Sequence, residues 1–196
     1  IPKGDFVFVI GSTASGKSTL IKLLYRQEKP SRGEVYVGGV NVSKLKNRKV
    51  YKIRRKLGIV FQDYKLLPTL TVFENVAFAL EIYGLPEKEV RKKVMNAIEK
   101  VGLKEKFRSY PDQLSGGEQQ RTSIGRALIS RPAIVLADEP TGNLDTKASE
   151  EIVSLLKKSN KEMKQTIIMI THNLELAKVA DKIIEIADGR IVGEEK

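Results

Sequence analysis

The stretch Gly11-Ser-Thr-Ala-Ser-Gly-Lys-Ser18 decides the fold, because it matches the pattern GxxxxGK followed by Ser or Thr at every fixed position. A short β-branched and aromatic run, Phe6 to Ile10, precedes it and predicts a buried strand. A helical pattern from Lys17 to about Arg26 follows it. Because the glycines let the backbone turn tightly before a helix, successive N–H groups can converge there on phosphate oxygens. The stretch therefore predicts a phosphate-binding loop between a strand and a helix.

Within this loop, backbone and side chains are both predicted to hold ATP. Lys17 is expected to reach the β- and γ-phosphates, and the Ser18 hydroxyl to ligate Mg²⁺. The residues predicted to bind the nucleotide here are Gly11, Ser12, Thr13, Ala14, Ser15, Gly16, Lys17, Ser18 and Thr19.

A second apolar run, Ile134 to Ala137, ends in the acidic pair Asp138 and Glu139. Ligands bind at the carboxyl ends of the strands in open α/β sheets, so this pair is predicted to lie at the nucleotide. Asp138 is then expected to hold Mg²⁺, directly or through water. Glu139 is placed to orient and deprotonate the attacking water. The loop and the pair together predict ATP hydrolysis.

The segment Leu114-Ser-Gly-Gly-Glu-Gln-Gln120 precedes the acidic pair. It resembles the signature motif of ATP-binding-cassette (ABC) ATPases, in the place where that family carries it. A serine and two glycines open a helix here and make a second anion-binding N-terminus. One γ-phosphate does not need two such sites in one chain. The resemblance implies that a second copy, arranged head to tail, presents these residues to the bound ATP: Ser115, Gly116, Gly117 and Glu118.

Three further elements resemble the same family. Gln62 follows the apolar run Leu57 to Phe61 and resembles the glutamine that touches Mg²⁺ and the attacking water. Gly142-Asn-Leu-Asp145 resembles the loop that crosses the dimer interface, which implies a nucleotide contact for Asp145. His172, the only histidine, follows the run Thr166 to Thr171 and resembles the histidine that contacts the γ-phosphate. The resemblance thus implies three catalytic residues, Glu139, His172 and Gln62, and three metal ligands, Ser18, Gln62 and Asp138.

Strands alternate with helices along most of the chain, which predicts an α/β fold with a mostly parallel sheet covered on both faces. Only helical patterns occur between about Asp63 and Ser115. We therefore predict one P-loop NTPase domain over 1–196, with a RecA-like core at 1–62 and 116–196 and an inserted helical subdomain at 63–115. A small antiparallel part is also predicted, with a short strand at Glu34 to Val37 and a closing hairpin around Asp188-Gly189.

The resemblance covers essentially the whole chain, with one gap. Members of the family usually begin with a strand and an aromatic residue that stacks on adenine. Only ten residues precede Gly11, so we expect this strand and this aromatic residue to be trimmed, lost or supplied otherwise. The phosphate contacts are then expected to be complete and the adenine contacts incomplete.

Composition narrows the class of protein. Hydrophobic residues make up 41% and charged residues 30% of the chain, which is typical of a soluble domain. No apolar stretch approaches the roughly 20 residues that span a bilayer, and no charged leader with an apolar region opens the chain. Cysteine is absent, which excludes disulfides, thiolate metal sites and a cysteine nucleophile. These features predict a cytoplasmic location.

The net charge is +11, and much of the excess lies in a basic run at 44–56. Val50, Ile53 and Leu57 are spaced for one face of a helix, so the charges are predicted to cover the opposite face. The run can be a solvated helix face, a surface for an anionic membrane or a nucleic-acid contact. No nucleic acid is expected, because no series of aromatic side chains alternates with the charges to stack bases.

The resemblance also implies partners. An integral membrane protein would dock around Asp63 to Glu74 and hold the chain peripherally on the cytoplasmic face of the membrane. The segments Phe61 to Leu67 and Asp138 to Asp145 most resemble the cell-division members of the family, whose ATP cycles control peptidoglycan hydrolases. The alternatives are an ATPase of lipoprotein release or macrolide export, and a soluble ATPase of DNA repair, whose usual coiled coil is not present. A binding module without turnover disagrees with an intact Glu139.

Overall fold

The structure is a computed structural model that describes residues 1–195. Its strands are β1 Phe6–Ile10, β2 Tyr36–Val37, β3 Val40–Asn41, β4 Leu57–Val60, β5 Ile134–Asp138, β6 Thr166–Ile170, β7 Lys182–Ala187 and β8 Arg190–Glu195. Its α-helices are α1 Lys17–Leu24, α2 Val50–Arg54, α3 Val72–Phe78, α4 Glu87–Lys100, α5 Gly116–Leu128, α6 Thr146–Met163 and α7 Leu174–Ala177. Short 3₁₀ turns lie at Asn47–Lys49, Glu81–Tyr83, Lys104–Lys106 and Pro111–Gln113.

Six strands form the main sheet in the order β4-β5-β6-β1-β7-β8. All neighbours pair in parallel except β7 and β8, which form the predicted hairpin around Asp188-Gly189. Strand β1 lies between β6 and β7. Because parallel strands end at the same edge, the residues that follow β1, β5 and β6 meet there. The predicted α/β fold with a mostly parallel sheet is confirmed.

Both faces of the sheet are buried, and β1 shows why. Phe6 and Phe8 belong to one core cluster, and Val7 and Val9 to the other. Alternate side chains of a strand point to opposite faces, so one short run contributes to two cores. The two phenylalanine rings meet edge to face, with centroids 5.0 Å apart. Each fully buried side chain of this size contributes about 1.5–3 kcal/mol, so these cores hold β1 firmly beneath the phosphate-binding loop.

Helices α3 and α4 lie between β4 and α5 in the chain, as the predicted helical insertion requires. Their apolar side chains, including Val76 and Ile98, pack in the same core cluster as Ile124 of α5. The small antiparallel pair β2–β3 is also present. The subdomain boundaries at 62/63 and 115/116 stay a prediction. Among residues 1–195, no helix is long and apolar enough to cross a membrane.

The basic run at 44–56 is only partly helical. A 3₁₀ turn and the short helix α2 occupy its middle, and Val50 and Ile53 are buried as predicted. Leu57 shares the apolar spacing of this helix, but it also opens the apolar run Leu57 to Phe61. In the structure it begins strand β4 and pairs with Ile134, because the sheet offers its backbone N–H and C=O groups partners on β5.

Candidate functional site

The phosphate-binding loop connects β1 to α1. A Cβ atom at Gly11 would collide with the backbone oxygen of Ile186, so no other residue fits there. Gly16 precedes the first helical residue with a φ of 103°, in the left-handed region that glycine adopts without strain. No side chain of residues 1–195 caps this end of α1. The first N–H groups of the helix therefore remain available to an anion.

Lys17 lies against the backbone of this loop and is only 4% exposed. Its ammonium group donates hydrogen bonds to the carbonyl oxygens of Gly11, at 2.9 Å, and Ser12, at 2.7 Å. Phosphate oxygens are stronger acceptors for an ammonium group than these carbonyls, so the same donors can turn to a nucleotide. The other loop residues with a predicted nucleotide contact are the exposed Ser12, Thr13, Ala14, Ser18 and Thr19 and the buried Ser15.

Ser18 and Asp138 are joined although 120 positions separate them. The Ser18 hydroxyl donates to Oδ1 of Asp138 over 3.0 Å. Burial, and then the charge of Glu139, raise the pKa of Asp138, and the Ser18 hydrogen bond partly opposes this rise. A hydroxyl and a carboxylate side by side suit Mg²⁺, which often takes one or two carboxylates together with substrate phosphates. Within residues 1–195 there is no group of three or more His, Cys, Asp or Glu side chains that could hold a metal ion.

Glu139 follows Asp138 in an unusual backbone conformation. Its φ is 44°, which is rare for a residue with a side chain and costs about 1–3 kcal/mol. Its N–H donates to the carbonyl of Ile170 at 3.2 Å, and its own carbonyl accepts from the N–H of Gly142 at 3.0 Å. These bonds direct the carboxylate toward His172, whose Nδ1 lies 3.5 Å from Oε2 of Glu139. The histidine is 65% exposed on its side chain and the glutamate 25%.

Gln62 follows β4 and lies against the turn after Glu139. Its amide nitrogen is 3.5 Å from Oδ1 of Asn143, and the Asn143 amide donates to the Gln62 carbonyl at 3.3 Å. Gln62 thus bonds to Asn143 through its side-chain amide and its backbone carbonyl, rather than to Ser18 or Asp138. The structure thus does not join Gln62 to the two other predicted metal ligands, and its role at Mg²⁺ stays a prediction.

The predicted signature residues form the N-terminus of α5. The Ser115 hydroxyl accepts from the N–H of Glu118 at 3.3 Å, and the Glu118 carboxylate accepts from the N–H of Ser115 at 2.8 Å. This reciprocal pair is a capping box. Asp145 caps α6 in a similar way by accepting from the N–H of Ala148 at 2.8 Å. Glu118 and Asp145 therefore stabilise helix ends here, and their predicted nucleotide contacts remain to be tested.

Two residues at this edge escaped the sequence analysis. The side chain of Gln120 is fully buried, and its amide donates to the carbonyls of Pro140, at 2.6 Å, and Phe61, at 3.3 Å. A polar residue four positions before the buried Ile124 was a usable signal, because both share one helix face. Arg126 donates to the carbonyls of Tyr64 and Lys65, and no sequence pattern links positions so far apart.

Comparison with known proteins identifies the family. The family model described as ABC transporter matches residues 1–142. The chain is 48% identical over its full length to the cell division ATP-binding protein FtsE of Bacillus subtilis (strain 168), of which it covers 86%. It is 43% identical to the protein of that name from Escherichia coli (strain K12), and the match covers 97% of this chain and 86% of that protein.

Solved structures agree with the sequence relatives. A dimeric post-hydrolysis state of the ATP-binding cassette MJ0796, bound to ADP and Pi, superposes with a TM-score of 0.91 at 41% identity. That likeness covers 100% of this chain and 87% of the other. The likeness thus extends beyond the phosphate-binding loop to the arrangement of the whole chain. The chain belongs to the ABC transporter family, as an ATP-hydrolysing ATP-binding cassette.

Proposed function

We propose that this chain binds Mg-ATP at the edge where β1, β5 and β6 end, and hydrolyses it with Glu139 as the general base. The observation that carries the proposal is the 3.0 Å hydrogen bond between Ser18 and Asp138. It brings the end of the phosphate-binding loop and the acidic strand end to one point. A nucleotide whose phosphates lie on the N-terminus of α1 would meet both groups there.

Each side chain then has a definite task. On ATP binding, Lys17 would exchange the loop carbonyls for phosphate oxygens, and Ser18 and Asp138 would hold Mg²⁺, which when bound would offset the charge that develops on the phosphates. The Glu139 carboxylate would take a proton from the attacking water. His172, whose Nδ1 lies 3.5 Å from this carboxylate, would contact the γ-phosphate from the same strand end. The left-handed backbone at Glu139 holds the base in a fixed direction before ATP binds.

We also propose that two copies act together, head to tail. The Ser115 end of α5 is a second helix N-terminus with two glycines, and it would complete the phosphate site of the other copy. Dimeric cassettes among the solved relatives support this arrangement. In this scheme ATP holds the two copies shut and hydrolysis releases them, as in other phosphate-held switches.

A membrane partner of the FtsX type is the proposed recipient of this cycle. The predicted docking segment Asp63 to Glu74 is joined through Arg126 to a groove of about 240 Å³ between β4, the end of α3 and α5, and we extend the proposed docking surface to this groove. Arg54, Arg55 and Arg126 lie in its lining. Three large side chains at this groove and the adjoining helix end are exposed to solvent: Phe78 by 47%, Ile82 by 54% and Tyr83 by 42%. An apolar patch bordered by arginines fits a short helix that carries both apolar and acidic residues.

The names of the relatives favour cell division over lipoprotein release or macrolide export. In this proposal, docking holds the chain on the cytoplasmic face of the membrane. ATP cycles then pass through the partner to control peptidoglycan hydrolases outside the cell.

The test is binding to an FtsX-type protein of the source genome, reconstituted in nanodiscs. A Phe78→Ser, Ile82→Ser double variant loses two exposed apolar side chains from the interface. Its affinity for the partner in nanodiscs should therefore fall by about 10- to 100-fold. The matched control is Ile191→Ser, Val192→Ser, which removes two equally exposed apolar side chains from β8. The proposal is contradicted if the first variant still binds the FtsX-type partner with the parent affinity, or if the parent prefers a lipoprotein-release permease.

A further inference from the structure

The segment predicted to dock the partner begins with a turn of unusual geometry. Tyr64 and Lys65 are consecutive, carry side chains and have φ values of 58° and 47°. The left-handed conformation is strained when the residue is not glycine. Two such residues in a row persist only if their surroundings hold them there.

Besides hydrogen bonds between backbone groups of the turn itself, Arg126 of α5 holds the turn in place. One arm of its guanidinium donates to the Tyr64 carbonyl at 2.8 Å and the other to the Lys65 carbonyl at 2.6 Å. The planar fork of arginine fits two neighbouring acceptors, and a lysine ammonium cannot reproduce this geometry. Burial lowers the pKa of Arg126, since desolvation disfavours the charged form. Hydrogen bonds from a charged donor are stronger than those from a neutral donor, so this pair can offset the strain of the turn.

The same turn touches the other end of α5. The Tyr64 hydroxyl lies so close to Gly116 that a Cβ atom there would be 2.9 Å from it. Leu144, from the turn after Glu139, approaches the same position at 3.3 Å. Thus α5 contacts the turn twice, through its first residue and through Arg126 three turns later. Because an α-helix moves largely as one rigid element, a displacement of α5 would carry the turn with it.

Arg126 also lines the proposed docking groove. One side chain therefore connects the groove, the strained turn and the helix whose N-terminus carries Ser115. We propose that Arg126 is a positioning residue that couples the Tyr64–Lys65 turn to α5, so that ATP bound at the Ser115 end changes the docking surface. This inference rests on the proposed function in taking that end of α5 to respond to nucleotide and the groove to be the docking surface.

The first arm of the test needs no nucleotide. Trypsin cleaves after lysine, so cleavage between Lys65 and Leu66, followed by mass spectrometry, reports how firmly the turn is held. Arg126→Ala should raise this cleavage rate several-fold, and Arg126→Lys should lie between it and the parent. The matched control is Arg121→Ala on the same helix, which removes an arginine paired with Glu151 at 3.1 Å and should leave the rate unchanged. Equal rates in the two alanine variants would overturn the inference.

The second arm follows the response to ATP. The chain contains no cysteine, so Lys65→Cys can carry a single environment-sensitive fluorophore. In a Glu139→Gln background, Mg-ATP should shift its emission, and Arg126→Ala should abolish the shift while Mg-ATP affinity and dimerisation by light scattering stay at the parent values. Tyr64→Phe, which removes only the hydroxyl at Gly116, should reduce the shift.

The outcomes separate the two proposals. A full shift in the Arg126→Ala variant, or none in a parent that binds Mg-ATP and dimerises, would overturn the coupling and leave the ATPase mechanism intact. A parent that fails to dimerise would overturn the head-to-tail mechanism, and the trypsin arm would still decide whether Arg126 holds the turn. If Arg126→Ala does not fold, the trypsin and fluorescence measurements are made on Arg126→Lys and Tyr64→Phe instead.

Discussion

Two helices of this molecule begin with glycines and could bind anions, yet their N-termini are built differently. Helix α1 starts after the left-handed Gly16, and no side chain of the described chain caps it. Helix α5 starts at Ser115 with a complete capping box, in which Glu118 returns a hydrogen bond to the Ser115 backbone. The N-terminus of α1 keeps its N–H groups for a ligand, whereas the N-terminus of α5 already satisfies some of its N–H groups with its own side chains.

The charges at the two helix N-termini also favour an anion at α1 over one at α5. Lys17 brings a buried ammonium to α1, while α5 carries the carboxylate of Glu118, whose pKa is lowered by the hydrogen bond from the Ser115 backbone. An anion is therefore attracted strongly to α1 and only conditionally to α5. The difference supports the proposal that α1 is the primary phosphate site and that α5 is a stable surface to which another copy brings a phosphate.

The largest effect is expected from a substitution at the phosphate-binding end of α1. Lys17→Ala removes the ammonium that holds the loop and would contact the phosphates, so Mg-ATP affinity should fall by at least about 10- to 100-fold. Isothermal titration calorimetry measures this directly. Lys93→Ala, an exposed lysine on α4 that pairs with Glu89, should bind like the parent. Unchanged affinity in the Lys17 variant would remove the basis for treating α1 as the primary site.

The next effect separates binding from turnover. Glu139→Gln keeps the shape of the side chain but loses the base, so kcat should fall by about 10²- to 10⁴-fold while Mg-ATP still binds. Light scattering should then show a dimer that persists, because the bound ATP keeps its γ-phosphate. Glu175→Gln, an exposed glutamate on α7, serves as the control. A Glu139→Gln protein that stays monomeric at saturating Mg-ATP would contradict the role given to α5.

A matched pair of caps sharpens the comparison further. Thr71 and Glu74 form on α3 the same capping box that Ser115 and Glu118 form on α5. Ser115→Ala and Thr71→Ala should each lower the free energy of unfolding by about 1 kcal/mol, measured by urea denaturation. Only Ser115→Ala should also weaken ATP-driven dimerisation in the Glu139→Gln background. If both variants weaken the dimer equally, the effect belongs to stability and not to the signature position.

The smallest effect concerns Asp138 without nucleotide. Burial, and then the charge of Glu139, raise its pKa in the folded protein above the usual value of about 3.9. A carboxyl with a raised folded pKa stabilises the fold below its unfolded pKa, and this contribution is lost as pH rises through the folded pKa. Asp138→Asn should therefore raise Tm slightly at pH 7, and the gain should shrink toward pH 4.

The exposed Asp112→Asn is the control for this change and should show no such pH-dependent gain. A Tm gain that does not change with pH would mean that the cost of the buried charge is not its cause. ATP hydrolysis should nevertheless be lost in Asp138→Asn, because the amide is a poor ligand for Mg²⁺. The carboxylate thus costs stability at the place where the chemistry needs it.

The site was predictable where its chemistry is local in the chain. The loop from Gly11 to Ser18 carries strand, turn and helix signals together, and Asp138 and Glu139 follow an unmistakable buried run. Leu57 fitted two patterns, the spacing of a helix face and the start of an apolar run, and the neighbouring strand β5 decided between them by pairing with its backbone. The hydrogen bond from Gln62 to Asn143, 81 residues away, follows from no sequence pattern, and the role of Gln62 at Mg²⁺ stays a prediction.

The sequence alone was enough to identify the α/β class, the phosphate-binding loop and the acidic pair, because each rests on neighbouring residues or on repeated spacing. The tertiary structure alone decided that Glu139 faces His172, that Gln120 joins two strand ends, and that Arg126 holds the turn at Tyr64 and Lys65. Those contacts join positions that are 20 to 62 residues apart or, for Glu139 and His172, lie on separate strand ends. Only the packing of β5, β6 and α5 around one core brings such positions within hydrogen-bonding distance.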